Sequence, residues 1–230
     1  MRKTCNLLLI LFLLVACAVS ETATAPKETS ASLVTTREPN ATEAPRAQSA
    51  EESTGSDNLV VYFSRAGEQY GVGVIEKGST AIVAEMIAEQ ISADLFEILP
   101  VDDHYPMTYD ELTDVAKREQ NEKARPAYTG EVPDLSRYNT VFIGAPVWWG
   151  DWPMICYTFI ETNADALSGK MLIPFSTHAG SGLANFDGKL SASLPNSTVG
   201  EGLAIAGTDA QNNQDSVREK VKSWLSDLGL

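Results

Sequence analysis

Thr140-Val141-Phe142-Ile143-Gly144-Ala145-Pro146-Val147-Trp148-Trp149-Gly150 starts as a short, buried-looking strand and runs directly into two adjacent tryptophans. The strand reads as Thr140 to Ile143, bounded by Asn139 and Gly144. Its apolar run lacks the polar alternation of a half-exposed strand, as expected for a parallel sheet covered on both faces. Large aromatics just past the carboxyl end of such a strand are poorly placed for a core. In an open parallel sheet that edge is where ligands bind, where the strand order reverses. Paired indoles there suit a flat, conjugated ligand; the alternative is a hydrophobic turn packed on the next helix.

Outward from this stretch the pattern alternates. Leu59 to Phe63 reads as a strand and Thr80 to Ile91 as an amphipathic helix, followed by a strand over Asp94 to Leu99. A polar helix over Tyr109 to Lys123 precedes the Thr140 strand, and Pro153 to Thr162 follows it as a helix with proline in its first turn. Strands over Lys170 to Phe175 and Gly202 to Ala206 lead to a closing helix over Ser216 to Leu228. Strands alternating with helices predict an α/β domain over residues 58–230, with a parallel sheet between helical layers.

The 57 residues before this domain read differently. Met1-Arg2-Lys3 is basic, and the apolar run from Leu7 to Val15 is shorter than a membrane span needs. It reads as a signal-peptide core ending in Leu14-Val15-Ala16-Cys17, which resembles a bacterial lipoprotein signal over residues 1–17 with Cys17 lipidated. The alternative is an ordinary cleavage site with an incidental cysteine. Lipid chains anchor by burying methylenes, so the expected location is the extracytoplasmic face of the cell membrane. Residues 18–57, rich in Ala, Thr, Ser, Glu and Pro, lack the apolar content to offset chain entropy and read as a disordered tether. A flexible coil of this length reaches about 35 Å. Only Cys156 would remain as a free thiol, a small buried hydrophobe in an apolar helix.

The formal charge is −14, and losing Arg2 and Lys3 with the signal takes it to −16. Nucleic acid is thereby disfavoured, and a basic partner is favoured. With no basic cluster in the chain, an anionic ligand is expected to rest on backbone amides and hydroxyls.

Loops with ligand-type residues follow the first, third and fourth strands. After the first, Ser64-Arg65-Ala66-Gly67 is separated by Glu68 to Lys77 from Gly78-Ser79-Thr80, which opens a helix. Hydroxyls and glycines there form a phosphate cradle, since free amides and the helix dipole both favour an anion; the alternative is that Ser79 or Thr80 simply caps the helix. Gly71-Val72-Gly73 lacks the third glycine of the dinucleotide fingerprint, and Lys77 precedes the glycine that it should follow in a P-loop. After the fourth strand come Ser176-Thr177-His178-Ala179-Gly180-Ser181-Gly182. His178 is one of two histidines with no cysteine or histidine cluster around it, which disfavours a metal site. Gly180-Ser181-Gly182 is not the G-x-S-x-G elbow of a serine hydrolase.

Taken together, Tyr62 to Gly67, Gly78 to Thr80, Pro146-Val147-Trp148-Trp149-Gly150 and Thr177-His178-Ala179-Gly180-Ser181-Gly182 resemble the flavodoxin family, in the group with P-x-W-W-G and T-H-x-G-S-G loops. Phe159 and Leu172 to Phe175 also fit, so the resemblance spans nearly all of residues 58–230. It implies a flavodoxin-like three-layer sandwich with a five-stranded parallel sheet in the order 2-1-3-4-5 that binds FMN non-covalently. It implies that Ser64, Ala66, Ser79 and Thr80 hold the phosphate, that Pro146, Val147, Trp148, Trp149 and Gly150 flank the isoalloxazine, and that Thr177, His178, Gly180, Ser181 and Gly182 close its other side. His178 would tune the flavin by a hydrogen bond or charge, or else be satisfied by backbone, and Gly150 would permit a peptide flip toward flavin N5. The insertion Glu68 to Lys77 departs from the compact family loop and is placed to cover the flavin or meet a partner. The implied function is a membrane-anchored redox protein passing electrons from a reductant, NAD(P)H among the options, to a partner protein or quinone-type acceptor. The alternative is a binding lipoprotein that kept the fold without flavin turnover. A two-lobed solute-binding protein does not fit one domain of this size.

Overall fold

The computed structural model describes residues 56–230. The readings on residues 1–55, namely the signal segment, Cys17 and nearly all of the tether, lie outside the described residues. Asp57 already belongs to the fold, since its carbonyl accepts from the amides of Asn139 and Thr140.

In chain order, β1 (Asn58–Tyr62) precedes a small hairpin, β2 (Gly67–Gln69) and β3 (Gly73–Ile75), then α1 (Ser79–Ile91) and β4 (Asp94–Glu97). The two-residue β5 (Leu99–Pro100) leads to α2 (Tyr109–Glu122) and pairs with β6 (Tyr128–Thr129) beyond it. There follow β7 (Thr140–Pro146), α3 (Met154–Thr162), α4 (Ala164–Leu167), β8 (Met171–His178) and α5 (Phe186–Ser193). The chain closes with β9 (Thr198–Val199), β10 (Leu203–Ala206), α6 (Gly207–Asn212) and α7 (Gln214–Asp227).

The main sheet runs β10-β8-β7-β1-β4, all pairs parallel, with β9 also beside β8. Counting its five principal strands in chain order gives 2-1-3-4-5, as expected. Alternate residues of each strand serve opposite faces. Leu59, Val61, Val141 and Ile143 pack with Ile155 and Phe159 of α3 and with Phe186 and Leu190 of α5. Val60, Phe142, Ile173 and Phe175 pack instead with Val83 and Ile87 of α1 and Val221 and Trp224 of α7. The result is the three-layer sandwich. Cys156 is fully buried, as its apolar setting predicts, and burial pushes its thiol pKa up.

Two strands are longer than their sequence pattern. The reading ends the third strand at Ile143 and the fourth at Phe175, whereas pairing continues through Gly144↔Phe175, Ala145↔Ser176 and Pro146↔Thr177. Ser176 and Thr177, expected in a loop, are therefore buried strand residues. The second strand is shorter: β4 stops at Glu97, and Leu99–Pro100 turns away to meet Tyr128–Thr129. The carboxyl ends of β1, β7 and β8 lie side by side, with the order reversing between β1 and β7.

Candidate functional site

The loop after β1 passes directly over the start of α1. The inserted residues fold back on themselves as the β2–β3 hairpin, which returns Gly78 to the Ser64-Arg65 backbone. Contact there is so close that a Cβ on Gly78 would sit 2.1 Å from Ser64 Oγ and 2.6 Å from the Arg65 carbonyl. Gly78 is the N-cap, and Ser64 Oγ accepts from the amide of Ala81 at 3.0 Å, so one end-of-helix donor is satisfied from far along the chain. The amides of Ser79 and Thr80, ahead of it, have no intrahelical acceptor and remain for a ligand. Thr80 Oγ1 and Thr177 Oγ1 share one hydrogen bond of 2.7 Å, which leaves one hydroxyl hydrogen between them to donate. Ser79 Oγ donates to the Gly207 carbonyl and accepts from Gln211.

Arg65 adds a basic group that the sequence reading does not assign to the site. Its side chain is 10% exposed, bonded to Asp103 at 2.7 Å and to the Tyr105 carbonyl at 2.6 Å. Its Nε is buried with no acceptor in the described protein.

The two tryptophans occupy a tight turn. Trp148 and Asp151 exchange both backbone hydrogen bonds at 3.0 Å, and the central residues Trp149 (φ 52°) and Gly150 (φ 72°) both have positive φ, the signature of a type I′ turn. Glycine adopts this freely; a bulky residue does so at a cost. Trp149 is held there by one stripe of α2. Its Nε1 donates to the Thr113 carbonyl at 2.9 Å, Lys117 Nζ lies 4.9 Å from its ring centroid, and Gln120 donates to its carbonyl at 3.2 Å. Trp148 turns inward and meets Phe63 and Tyr105 edge-on, with centroids 5.4 and 5.3 Å away. The Gly150 carbonyl accepts from Lys189 at 2.7 Å, so the carbonyl on which a peptide flip would draw is already engaged.

His178 ends β8. The Gly180 amide donates to its Nδ1 at 3.0 Å, which leaves the neutral ring with its hydrogen on Nε2. Burial lowers its pKa, with Lys220 adding to the effect and Asp209 opposing it. The histidine therefore faces the cleft as a neutral donor rather than a charge.

Behind the loops lies a buried polar chain. Tyr105 OH donates to Glu119 at 3.1 Å, and the other Glu119 oxygen receives His104 Nε2 at 2.7 Å. Burial, then the Glu119 charge, pushes the Tyr105 pKa far up; the Glu119 hydrogen bond raises that of His104 against its desolvation.

A cleft of about 350 Å³ joins these parts, within the range of small-molecule sites. Of the residues expected from sequence, Ser64, Ser79, Thr80, Pro146, Val147, Trp148, Trp149, Thr177 and His178 line it. Ala66, Gly150, Gly180, Ser181 and Gly182 lie outside the lining; the glycine-rich loop curls back so that Ser176 Oγ bonds the Gly182 carbonyl. Gln69, Tyr70 and Val72 of the hairpin also line the cleft, where the insertion is expected to cover a ligand, and sequence reasoning does not find the rest of that wall, Tyr109, Leu112 and Thr113 of α2. The hairpin is fastened there by Glu68, which accepts from the Tyr109 amide at 2.9 Å and so caps α2, while Tyr70 and Tyr109 pack at 5.7 Å. Thr113, Lys117 and Gln120 recur at helical spacing on α2, a pattern that in the sequence reads as a solvated face.

Comparison with known proteins agrees with this architecture. The family model described as Flavodoxin matches residues 58–228. Among solved structures, a protein designated a flavoprotein from Bacteroides eggerthii is 28% identical, with a TM-score of 0.59 over 76% of this chain and 99% of its own. A second such protein, from Bacteroides uniformis, is 28% identical, with a TM-score of 0.57 over 75% of this chain and 99% of its own. A flavoprotein from Lactobacillus acidophilus, solved in complex with FMN, shares the fold at 21% identity and a TM-score of 0.53, over 70% and 99% of the two chains. No match was found among curated proteins. A sheet ordered 2-1-3-4-5, a cleft at its switch point and a family match over residues 58–228 make one statement: the chain belongs to the flavodoxin family.

Proposed function

We propose that this protein binds FMN in the cleft and carries electrons between a reductant and a partner protein or quinone-type acceptor, held at the outer face of the cell membrane by a lipid on Cys17. The observation that carries the reading is the sharing of one cleft by an anion cradle and an indole wall. The donor set fits FMN: free amides at Ser79 and Thr80, hydroxyls at Ser64, Thr80 and Thr177, and the buried, acceptor-less Arg65 Nε would take the phosphate. Val147, Trp148 and Trp149 would flank the ring, and neutral His178 would offer it an Nε2 hydrogen. When bound, FMN supplies one- and two-electron exchange, and the protein supplies binding, orientation and electrostatics. Indoles shield the ring from water, and the acidic surface disfavours additional negative charge on it, so both hold down the potential of the last electron step.

The test is a fluorescence and redox titration of the native protein and of Trp148→Ala and Trp149→Ala. Native protein should bind FMN, turn yellow and suppress most of the flavin emission. Trp149, half exposed and fixed by α2, is the indole offered to the ring, so its alanine variant should regain emission. That variant should also lose about 0.5–1.5 kcal/mol of affinity beyond lost burial. Its last-step midpoint should rise, because water then reaches the ring. If neither variant alters emission, affinity or potential, both tryptophans are structural.

Anchoring rests on Leu14-Val15-Ala16-Cys17. In a bacterial host, Cys17→Ser should move the domain from the membrane to the soluble fraction or stall processing. Unchanged fractionation and N-terminal mass would rule the lipid out.

A further inference from the structure

One buried group has no part in the function proposed so far. Tyr105 is 3% exposed, yet its hydroxyl is aimed at a carboxylate, and that carboxylate at an imidazole that reaches solvent. Its ring touches both an indole of the cleft and the His104 ring, with centroids 5.3 and 4.4 Å away. Packing alone would be met by phenylalanine; the hydroxyl adds a polar group whose burial must be offset by Glu119. Glu119 is itself 6% exposed and would be costly there without Tyr105 and His104. The arrangement is that of a phenol supplied with a base.

We infer that Trp148 and Tyr105 form a redox-active pair that drains one-electron vacancies from the cleft, with Glu119 as the proton acceptor and His104 as the outlet to water. This rests on the reading of the cleft as an FMN site. With FMN bound, the oxidant would be the photoexcited oxidised flavin; its electron would come from the adjacent indoles Trp149 and Trp148, both in the cleft lining, and the vacancy would settle on Trp148, the one that touches Tyr105. The Trp148 radical cation then takes an electron from Tyr105. A phenol that loses an electron becomes a strong acid, so the Tyr105 proton passes along the 3.1 Å hydrogen bond to Glu119 as the electron leaves. The products are neutral Trp148, a neutral tyrosyl radical and protonated Glu119, and no net charge is created in the interior. The imidazolium of His104 loses its carboxylate partner in this step and, being 42% exposed, can release its proton to water. Without Glu119 the vacancy would have to leave a charged phenol buried, which the interior opposes.

The experiment is transient absorption, with trapped-radical electron paramagnetic resonance, on the FMN-loaded full chain after a light pulse. The variants are Tyr105→Phe, Glu119→Gln and, as a control, Tyr138→Phe. Tyr138 is equally buried and bonded to the Asp94 carboxylate at 2.7 Å, but it sits by the amino end of β7, away from the cleft. Native protein and the control should convert an indole radical to a tyrosyl radical, more slowly in heavy water. Tyr105→Phe should stop at the indole radical, and Glu119→Gln should slow the conversion by about a hundredfold, the usual worth of a positioned base. FMN titration of each variant should give native affinity, which shows that the cleft is intact. Failure of the native protein to take up FMN overturns the cofactor reading and this pair with it. FMN uptake without a tyrosyl radical, or with one that survives in Tyr105→Phe, overturns the pair alone.

Discussion

Gly78→Ala should lose FMN affinity by two to four powers of ten while the domain stays folded. Gly78 has φ −63° and ψ 145°, which alanine adopts without strain, so the backbone itself does not object. The obstacle is the Ser64-Arg65 loop, whose atoms stand 2.1 to 2.8 Å from the added methyl. Two of the atoms in contact, the Arg65 amide nitrogen and carbonyl oxygen, are backbone and cannot swing aside, so the loop must lift. Lifting it withdraws Ser64 and Arg65 from the phosphate together. With about 1.5–3 kcal/mol for each hydrogen bond to a charged group, two such losses give about 3–6 kcal/mol. The sheet core lies on other residues, so circular dichroism should remain native and the melting temperature should fall only modestly. A variant that titrates with FMN as the native chain does would show that this loop does not hold the phosphate.

Discrimination between FMN and riboflavin should be nearly as large, because riboflavin offers nothing to the cradle. The hydroxyls here already have partners: Ser64 Oγ caps α1, and Thr80 shares a hydrogen bond with Thr177. Each still has a hydrogen or its sharing partner's hydrogen to give, so removing both hydroxyls in Ser64→Ala/Thr80→Ala should weaken FMN by a few kcal/mol, at about 1.5–3 kcal/mol apiece. Riboflavin binding should be almost unchanged by the same substitutions. The double variant should also melt earlier, since losing a helix cap costs about 0.5–2 kcal/mol. Equal affinities of the native protein for the two flavins, measured by titration, would count against the phosphate assignment.

What the sequence discloses follows from what decides each feature. The parallel, doubly covered sheet is legible because Val60, Val61, Phe142 and Ile143 are apolar without alternation, as strands buried on both faces are, whereas its order is implied only by the family resemblance. The strand ends are less legible. Gly144, Ala145 and Pro146 look like a turn, and it is pairing with Phe175, Ser176 and Thr177 of the neighbouring strand that keeps them extended. The cradle and the indole turn are legible because their residue types are local requirements of the chemistry. The part of the facing wall that α2 supplies is not. Thr113, Lys117 and Gln120 look like any solvated helix face, and only the chain's return through Trp149 gives that stripe an object. Helix α5 is missed for a related reason: Phe186-Asp187-Gly188-Lys189 has little amphipathic pattern, and Phe186 is fixed by stacking on Trp152 at 3.6 Å.

The left-handed turn at Trp149 places two selective demands in opposition. Conformations of this kind cost about 1–3 kcal/mol in residues other than glycine. Glycine, asparagine or aspartate at position 149 would relax the backbone, and each would remove the ring that faces the cleft. A library of variants ranked on thermal resistance alone would therefore discard the indole early and report an improvement. Stabilising this scaffold while keeping its cleft means leaving position 149 fixed and seeking gains elsewhere in the domain.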